Sequence, residues 1–193
     1  MSDDFHDELN KDQSEIMGLL EPYLARMQPL PHEALNFYLK DYTPAARAEL
    51  TDSAVANDLR CHTWHGLKRT FAEEPGFHFL KLKGNLEVLN IRDQLILRPK
   101  KVNSYGRHRN HASDQQYAYD NQLPIPGLPR EAQRLIFGYE IDPAYSSIVR
   151  VIFRRPKGRW IAQVNEPAAE KRWTDITPAE LPLHGEGRAK KRG

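Results

Sequence analysis

Histidine and arginine crowd together at Arg107-His108-Arg109-Asn110-His111. Imidazoles titrate near neutral pH and a guanidinium stabilises charge building on phosphorus. His108 and His111 are therefore candidate acid and base of a metal-independent ribonuclease, with arginine as phosphate clamp. The loop-like composition around them argues against this, because catalytic groups need rigid support. Asp58, His62 and His65 form a second set, spaced i, i+4, i+7 on one helix face with Cys61 at its edge. Carboxylate and imidazole suit a transition metal, or equally a general base oriented by a carboxylate. The spacing is not H-E-x-x-H, and one helix rarely closes a site, so a solvated polar face is the stronger reading. Glu87, Asp93, Glu140 and Asp142 lie on or beside expected strands but lack the Asp…Glu-x-Lys pattern of Mg²⁺-dependent nucleases. The chain contains no G-x-x-x-x-G-K-[ST], G-x-G-x-x-G or G-x-S-x-G. That argues against nucleotide hydrolysis, dinucleotide redox chemistry and serine hydrolysis, and no cofactor is implied.

The placement of charge supports binding rather than catalysis. No acid occurs between Asp93 and Asp114, a window holding Arg98, Lys100, Lys101, Arg107 and Arg109. A second acid-free window, Pro143 to Asn165, holds Arg150, Arg154, Arg155, Lys157 and Arg159. At the N-terminus Asp3, Asp4, Asp7, Glu8, Asp12, Glu15 and Glu21 face Lys11 alone. Such segregation makes a surface field that the net charge of +2 hides. Its simplest partner is DNA or RNA, bound through phosphates by Arg98, Lys100, Lys101, Arg107, Arg109, Arg150, Arg154, Lys157 and Arg159. If Val149, Val151 and Phe153 face the core, Arg150 and Arg154 project to solvent on the opposite parity. The two basic windows are then expected on one continuous surface, with Tyr105, Tyr117, Tyr119 and Trp160 as stacking faces for a single strand. Two alternatives compete. The charges form a solubilising surface paired with the acidic helices, or the chain binds a protein, as an inhibitor or antitoxin does.

These residues need elements to carry them. With 193 residues, 39% of them hydrophobic and 28% charged, the chain is long enough for one substantial folded body with polar ends. The lone Cys61 excludes an intrachain disulfide framework, no apolar run approaches a membrane span, and the acidic start lacks a secretory pattern. A cytoplasmic protein without a membrane partner is expected. Residues 1–11 read as a disordered acidic tail, with residues 186–193 mobile at the other end.

Residues 12–76 read as helical. Ile16 to Met27 repeats at helical spacing, with Pro22 expected to kink or divide it. Pro31 opens a second helix, Thr43-Pro44 a short third, and Thr51 or Asp52 caps a long one to Glu74. Residues 77–165 then alternate like strands, with turns at Gly84-Asn85, Arg92-Asp93 and Pro156-Lys157-Gly158. Pro99 is expected to limit the third strand, and the stretch from Lys100 to Arg130 to form a long loop anchored by Tyr117 and Tyr119. The expected class is α+β: N-terminal helices, a five- to six-stranded antiparallel sheet, and a polar tail over 166–193 with a basic end.

The run from Leu97 to Asn165 resembles a group of small bacterial proteins of unassigned function. The resemblance is carried by Arg98-Pro-Lys-Lys, Gln115-Gln116, Leu123-Pro-Ile-Pro-Gly-Leu-Pro129 and Gly138-Tyr-Glu-Ile-Asp142. It covers about a third of the chain and transfers no catalytic residue. It implies an accessory or regulatory component found near helix-turn-helix regulators or stress and mobile-element modules, including toxin–antitoxin ones.

Overall fold

The structure is a computed structural model that describes residues 13–108, 113–156 and 160–178. The expectations for residues 1–11 and 186–193 lie outside the described residues. Helix α1, Gln13–Met27, buries Ile16, Leu20, Tyr23, Leu24 and Met27 along one stripe. Pro22 stands inside α1 without dividing it. Both Pro22 and Gly18, whose carbonyl loses its helical partner to the proline, are exposed, so the gap is open to solvent. Three more helices follow: α2, Leu30–Asp41; α3, Pro44–Glu49; and α4, Asp52–Phe71. Thr43 Oγ1 caps α3 by accepting from Ala46 N at 3.3 Å, and Thr51 Oγ1 caps α4 by accepting from Ala54 N at 3.2 Å.

The described residues then form a seven-stranded sheet in sequential order. Its strands are β1 (Phe77–Leu82), β2 (Leu86–Ile91), β3 (Leu95–Val102), β4 (Gln133–Ile141), β5 (Ile148–Arg154), β6 (Ile161–Val164) and β7 (Trp173–Asp175). The sheet is mixed rather than antiparallel, because β3 and β4 run parallel. Strands joined by tight turns must reverse, but the chain between Val102 and Gln133 is long enough to cross over the sheet and return in the same direction. Within that crossover lies a fifth helix, α5, Asp114–Asp120.

Two further expectations are corrected. Strand β3 continues through Pro99 to Val102, because pairing with β2 ends at Leu89–Leu97. At Pro99 one side of β3 is already an edge, where a missing N–H costs little. The polar tail also contributes structure: Trp173–Asp175 pairs with β6 and supplies the seventh strand.

The two faces of the sheet have separate cores. The inner face packs Leu97, Leu135, Phe137, Tyr139, Val151 and Phe153 against α1, α2 and α4. Val149, expected beside them, is instead exposed, just past the irregularity in pairing at Glu140–Ile141. The outer face packs Val88, Ile96, Ile136, Ile152 and Ile161 against Tyr119 and Ile125 of the crossover. None of the described helices is long and apolar enough to cross a membrane.

Candidate nucleic-acid interface

Register decides which charges share a face. Arg98 lies level with Ile136 of β4 and Arg154 of β5, and Val102 with Glu140 and Arg150. Lys100 is two residues from Arg98, so Arg98, Lys100, Arg150 and Arg154 all sit on the outer face, as the alternation of the two windows requires. Lys101 has the opposite parity, and its Nζ donates to Tyr145 Oη at 2.8 Å. That hydroxyl in turn donates to Asp52 at the start of α4. Arg109, His111, Lys157 and Arg159 lie outside the described residues.

Arg154 does not project to solvent, as its parity alone implied; it is 5% exposed. The crossover explains this by folding back over the outer face. Gly106 adopts φ +68°, and a Cβ there would come within 3.0 Å of Ile161 and 3.2 Å of Ile152, so glycine allows this close approach. Arg154 Nη1 donates to Gly106 O at 2.8 Å. Arg150 is half-buried, pairs with Glu140 through Nε at 2.6 Å, and donates to the Ser104 carbonyl.

Helix α5 roofs the same face. Ser113 Oγ caps it by accepting from Gln116 N at 3.1 Å. The stretch from Lys100 to Arg130 is therefore not the long loop expected of it, and the capping-box spacing Ser113-x-x-Gln116 is the signal that reading passed over. Tyr119, with no exposed surface, puts its hydroxyl 3.0 Å from Ile96 O and 2.8 Å from Leu135 O, so one side chain bridges β3 and β4. Gln116 accepts from Arg98 and donates to Asp120 at 2.8 Å. His108 Nε2 lies 3.4 Å from Asp120 Oδ1, which ties the start of the crossover to the end of α5.

Beside this roof the sheet is split. Beyond Leu89 and Leu97, β2 pairs with β1 alone and β3 with β4 alone. Arg98 and Lys100 line the β3 lip, Glu87 belongs to the β2 lip, and Arg60 of α4 reaches Glu87 at 2.9 Å. Lys100 makes no hydrogen bond or ion pair among the described residues. Burial, then the positive charges of Arg98 and Arg60, push its pKa down to about 7 against a weaker opposing pull from Asp120. Burial also lowers the pKa of Arg98 and of Arg154. Arg98 and Arg154 are held by neutral acceptors and Lys100 by none, so in this poorly solvated place only the more distant carboxylates of Asp120 and Glu87 offset their charge.

Arg134, on the same face, is 1% exposed, and its Nε and Nη1 have no acceptor among the described residues. Unmet buried donors cost about 1–3 kcal/mol. Arg134→Met is therefore expected to leave stability unchanged or raise it by about that amount in urea titrations. A clear loss of stability would mean that the guanidinium has an anionic partner.

The remaining candidates do not assemble a site. Asp58 pairs with His62 at 3.7 Å, His62 stacks on Phe37, and His65 is exposed on its own. Among the described residues no three metal-ligating side chains converge. Glu140 and Glu87 are engaged by arginines, Asp93 by Asn90 at 2.6 Å, and Asp142 by Ser146 and Ser147. Of the expected stacking residues, Tyr105 and Tyr117 are 62% and 61% exposed. Tyr117 is thus no anchor for the crossover, Tyr119 is sealed in, and Trp160 is partly buried against the inner core. No protein-family model matches the chain, and neither a curated protein nor a solved structure matches it.

Proposed function

We propose that the protein binds single-stranded DNA or RNA on the outer face of β3–β5 without catalysing a reaction on it. The observation that carries this reading is the set Arg98, Lys100 and Arg154, half-buried or buried and held by neutral acceptors or none. Against them stand Asp120, Glu140 and Glu87, the last two already engaged by Arg150 and Arg60. A phosphate supplies the missing negative charge, and arginine presents a fork that bonds two of its oxygens. Arg107 lies near the ring of the exposed Tyr105, and the exposed Tyr117 is on α5 beside it, so bases have flat faces to stack on. Arg150 belongs to the proposal as a further phosphate contact, as do Arg109, Lys157 and Arg159 from the sequence, whereas Lys101, on the opposite face and bonded to Tyr145, does not.

The test is fluorescence polarisation with short single-stranded DNA and RNA at about 50 and 200 mM salt. Affinity should fall steeply with salt. Arg98→Met should weaken binding about tenfold or more and flatten the log–log salt slope by roughly 0.7, with the circular dichroism spectrum unchanged. No binding at either salt would sink the reading in favour of a protein partner. Shortened RNA would favour the ribonuclease reading, with His108 and His111 as its candidate acid and base, over binding without catalysis.

A further inference from the structure

We infer that the open edge of β1 takes an acidic, extended segment of a partner protein as an added strand. This is independent of the nucleic-acid reading and concerns a different part of the sheet. Strand β1 ends the sheet, and all six of its residues pair with β2. Among the described residues no strand pairs with its other side. Arg92 N donates to Gly76 O at 2.7 Å, and this bond sets the alternation. The N–H and C=O groups of His78 and Leu80 point to β2, and those of Phe79 and Lys81 point away from it. Phe77 N is taken by Glu74 O at 3.2 Å, but the backbone groups of Phe79 and Lys81 have no such partner among the described residues. An edge of this length without proline or bulge is a template for another strand.

The flanks of the edge select what can join it. On the inner side α4 covers β1: the Trp64 ring meets Phe79 at 5.3 Å, and Phe71 stacks on Phe77 at 5.0 Å. Helix α2 packs on one flank of α4, where Phe37 lies on His62 and Leu30 against Gly66. Helical spacing turns Lys68 to the flank that α2 leaves free, and its Nζ lies 5.2 Å from the Trp64 ring centroid. Lys81 has the same parity as Phe79 and so points to the same inner side. Neither lysine forms an ion pair among the described residues. The carboxylates near them are engaged: Glu87, level with Lys81 on β2, by Arg60 at 2.9 Å, and Glu74 by Arg26 at 2.7 Å. Glu73 is exposed in the turn before β1, and Lys83 is exposed just after the strand. On the outer side Leu80 and Leu82 are half-buried.

An incoming strand meets bare backbone donors and acceptors, with cations on one side and apolar side chains on the other. Main-chain bonds to Phe79 and Lys81 hold it. Alternation makes it selective: acids on its inner side meet Lys68 and Lys81, and apolar residues on its outer side lie beside Leu80 and Leu82. A second copy of β1 is the wrong occupant, because it brings the same lysines toward each other.

The experiment titrates the full chain with two labelled hexapeptides, Glu-Val-Glu-Val-Glu-Val and Lys-Val-Lys-Val-Lys-Val, by fluorescence polarisation. The acidic peptide should bind about tenfold more tightly than the basic one at low salt. Amide hydrogen exchange, followed by NMR, should slow at Phe79 and Lys81 when it binds. Lys81→Pro removes one outward donor and leaves the β1–β2 bonds intact, so it should abolish binding with an unchanged circular dichroism spectrum. Lys81→Glu should remove the preference for the acidic peptide. No binding, equal binding of the two peptides, or binding without slower exchange at Phe79 and Lys81 would overturn the inference. Self-association in sedimentation that Lys81→Pro abolishes would also overturn it, making a second copy the occupant. If Lys81→Pro does not fold, Lys81→Glu decides: a preference that survives that exchange of charge rules out selection by the edge.

Discussion

Tyr119→Ala is expected to destabilise the protein by about 3–5 kcal/mol, the usual cost of deleting a fully buried aromatic ring. The ring has no exposed surface and belongs to the outer core, and its hydroxyl bridges carbonyls of two strands that no short turn connects. Tyr119→Phe keeps the packing and loses the bridge, so it should cost about 1 kcal/mol. Urea titrations of the two variants separate these contributions. If phenylalanine costs as much as alanine, the bridge rather than the ring holds α5 down. In either variant α5 is expected to loosen and Arg98 to lose the positioning effect of Gln116, so the proposed phosphate binding should weaken before the protein unfolds.

Lys100→Met is expected to change how stability responds to pH. In the unfolded chain a lysine keeps its proton to about pH 10.4. In the folded chain burial, then Arg98 and Arg60, lower this to about 7. Between these values the unfolded chain binds more protons than the folded one, so stability rises with pH across the window. Below pH 7 both states hold the proton and the cost of burying the charge is felt in full. Methionine has similar length and no charge. The variant should be more stable than the parent at pH 6–7 and should lose a slope of at most about 1.4 kcal/mol per pH unit between pH 7 and 10. Urea midpoints at four pH values measure this. A slope that persists in the variant would assign it to another group.

The sequence was most legible where one local rule decides the outcome. Thr43-Pro44 and Thr51 announce helix starts because a hydroxyl two or three residues before a free N–H caps it whatever the tertiary context. The alternation of Leu135, Phe137 and Tyr139 places a buried face because a strand has only two sides. Parity also assigned Arg98, Lys100, Arg150 and Arg154 to one face, yet it could not say whether that face was wet. Arg154 is buried because a distant segment, around Gly106, folds over it, and nothing near Arg154 encodes that event. The parallel pairing of β3 with β4, and the use of Trp173–Asp175 as a strand, likewise depend on partners far along the chain. Arg60 was missed altogether. It lies on the helix packed on the inner face, and it meets Glu87 because alternation between Leu86 and Val88 of the outer core turns Glu87 to that same face.

The parallel seam between β3 and β4 also governs the order of assembly. Strands β1–β3 and β4–β7 each join through short connections and can pair locally, whereas the seam must close residues 103–132 into a loop. Restricting roughly thirty residues in this way costs about 3 kcal/mol in chain entropy, beyond a constant for meeting at all. Non-local pairing of this kind is slow, so the seam closes after the two meanders have formed. The Tyr119 hydroxyl, bonded to Ile96 on one side and Leu135 on the other, acts as a clasp over the closed seam. The two basic windows are therefore expected to meet only late in folding, so a half-folded chain lacks the composite cationic face.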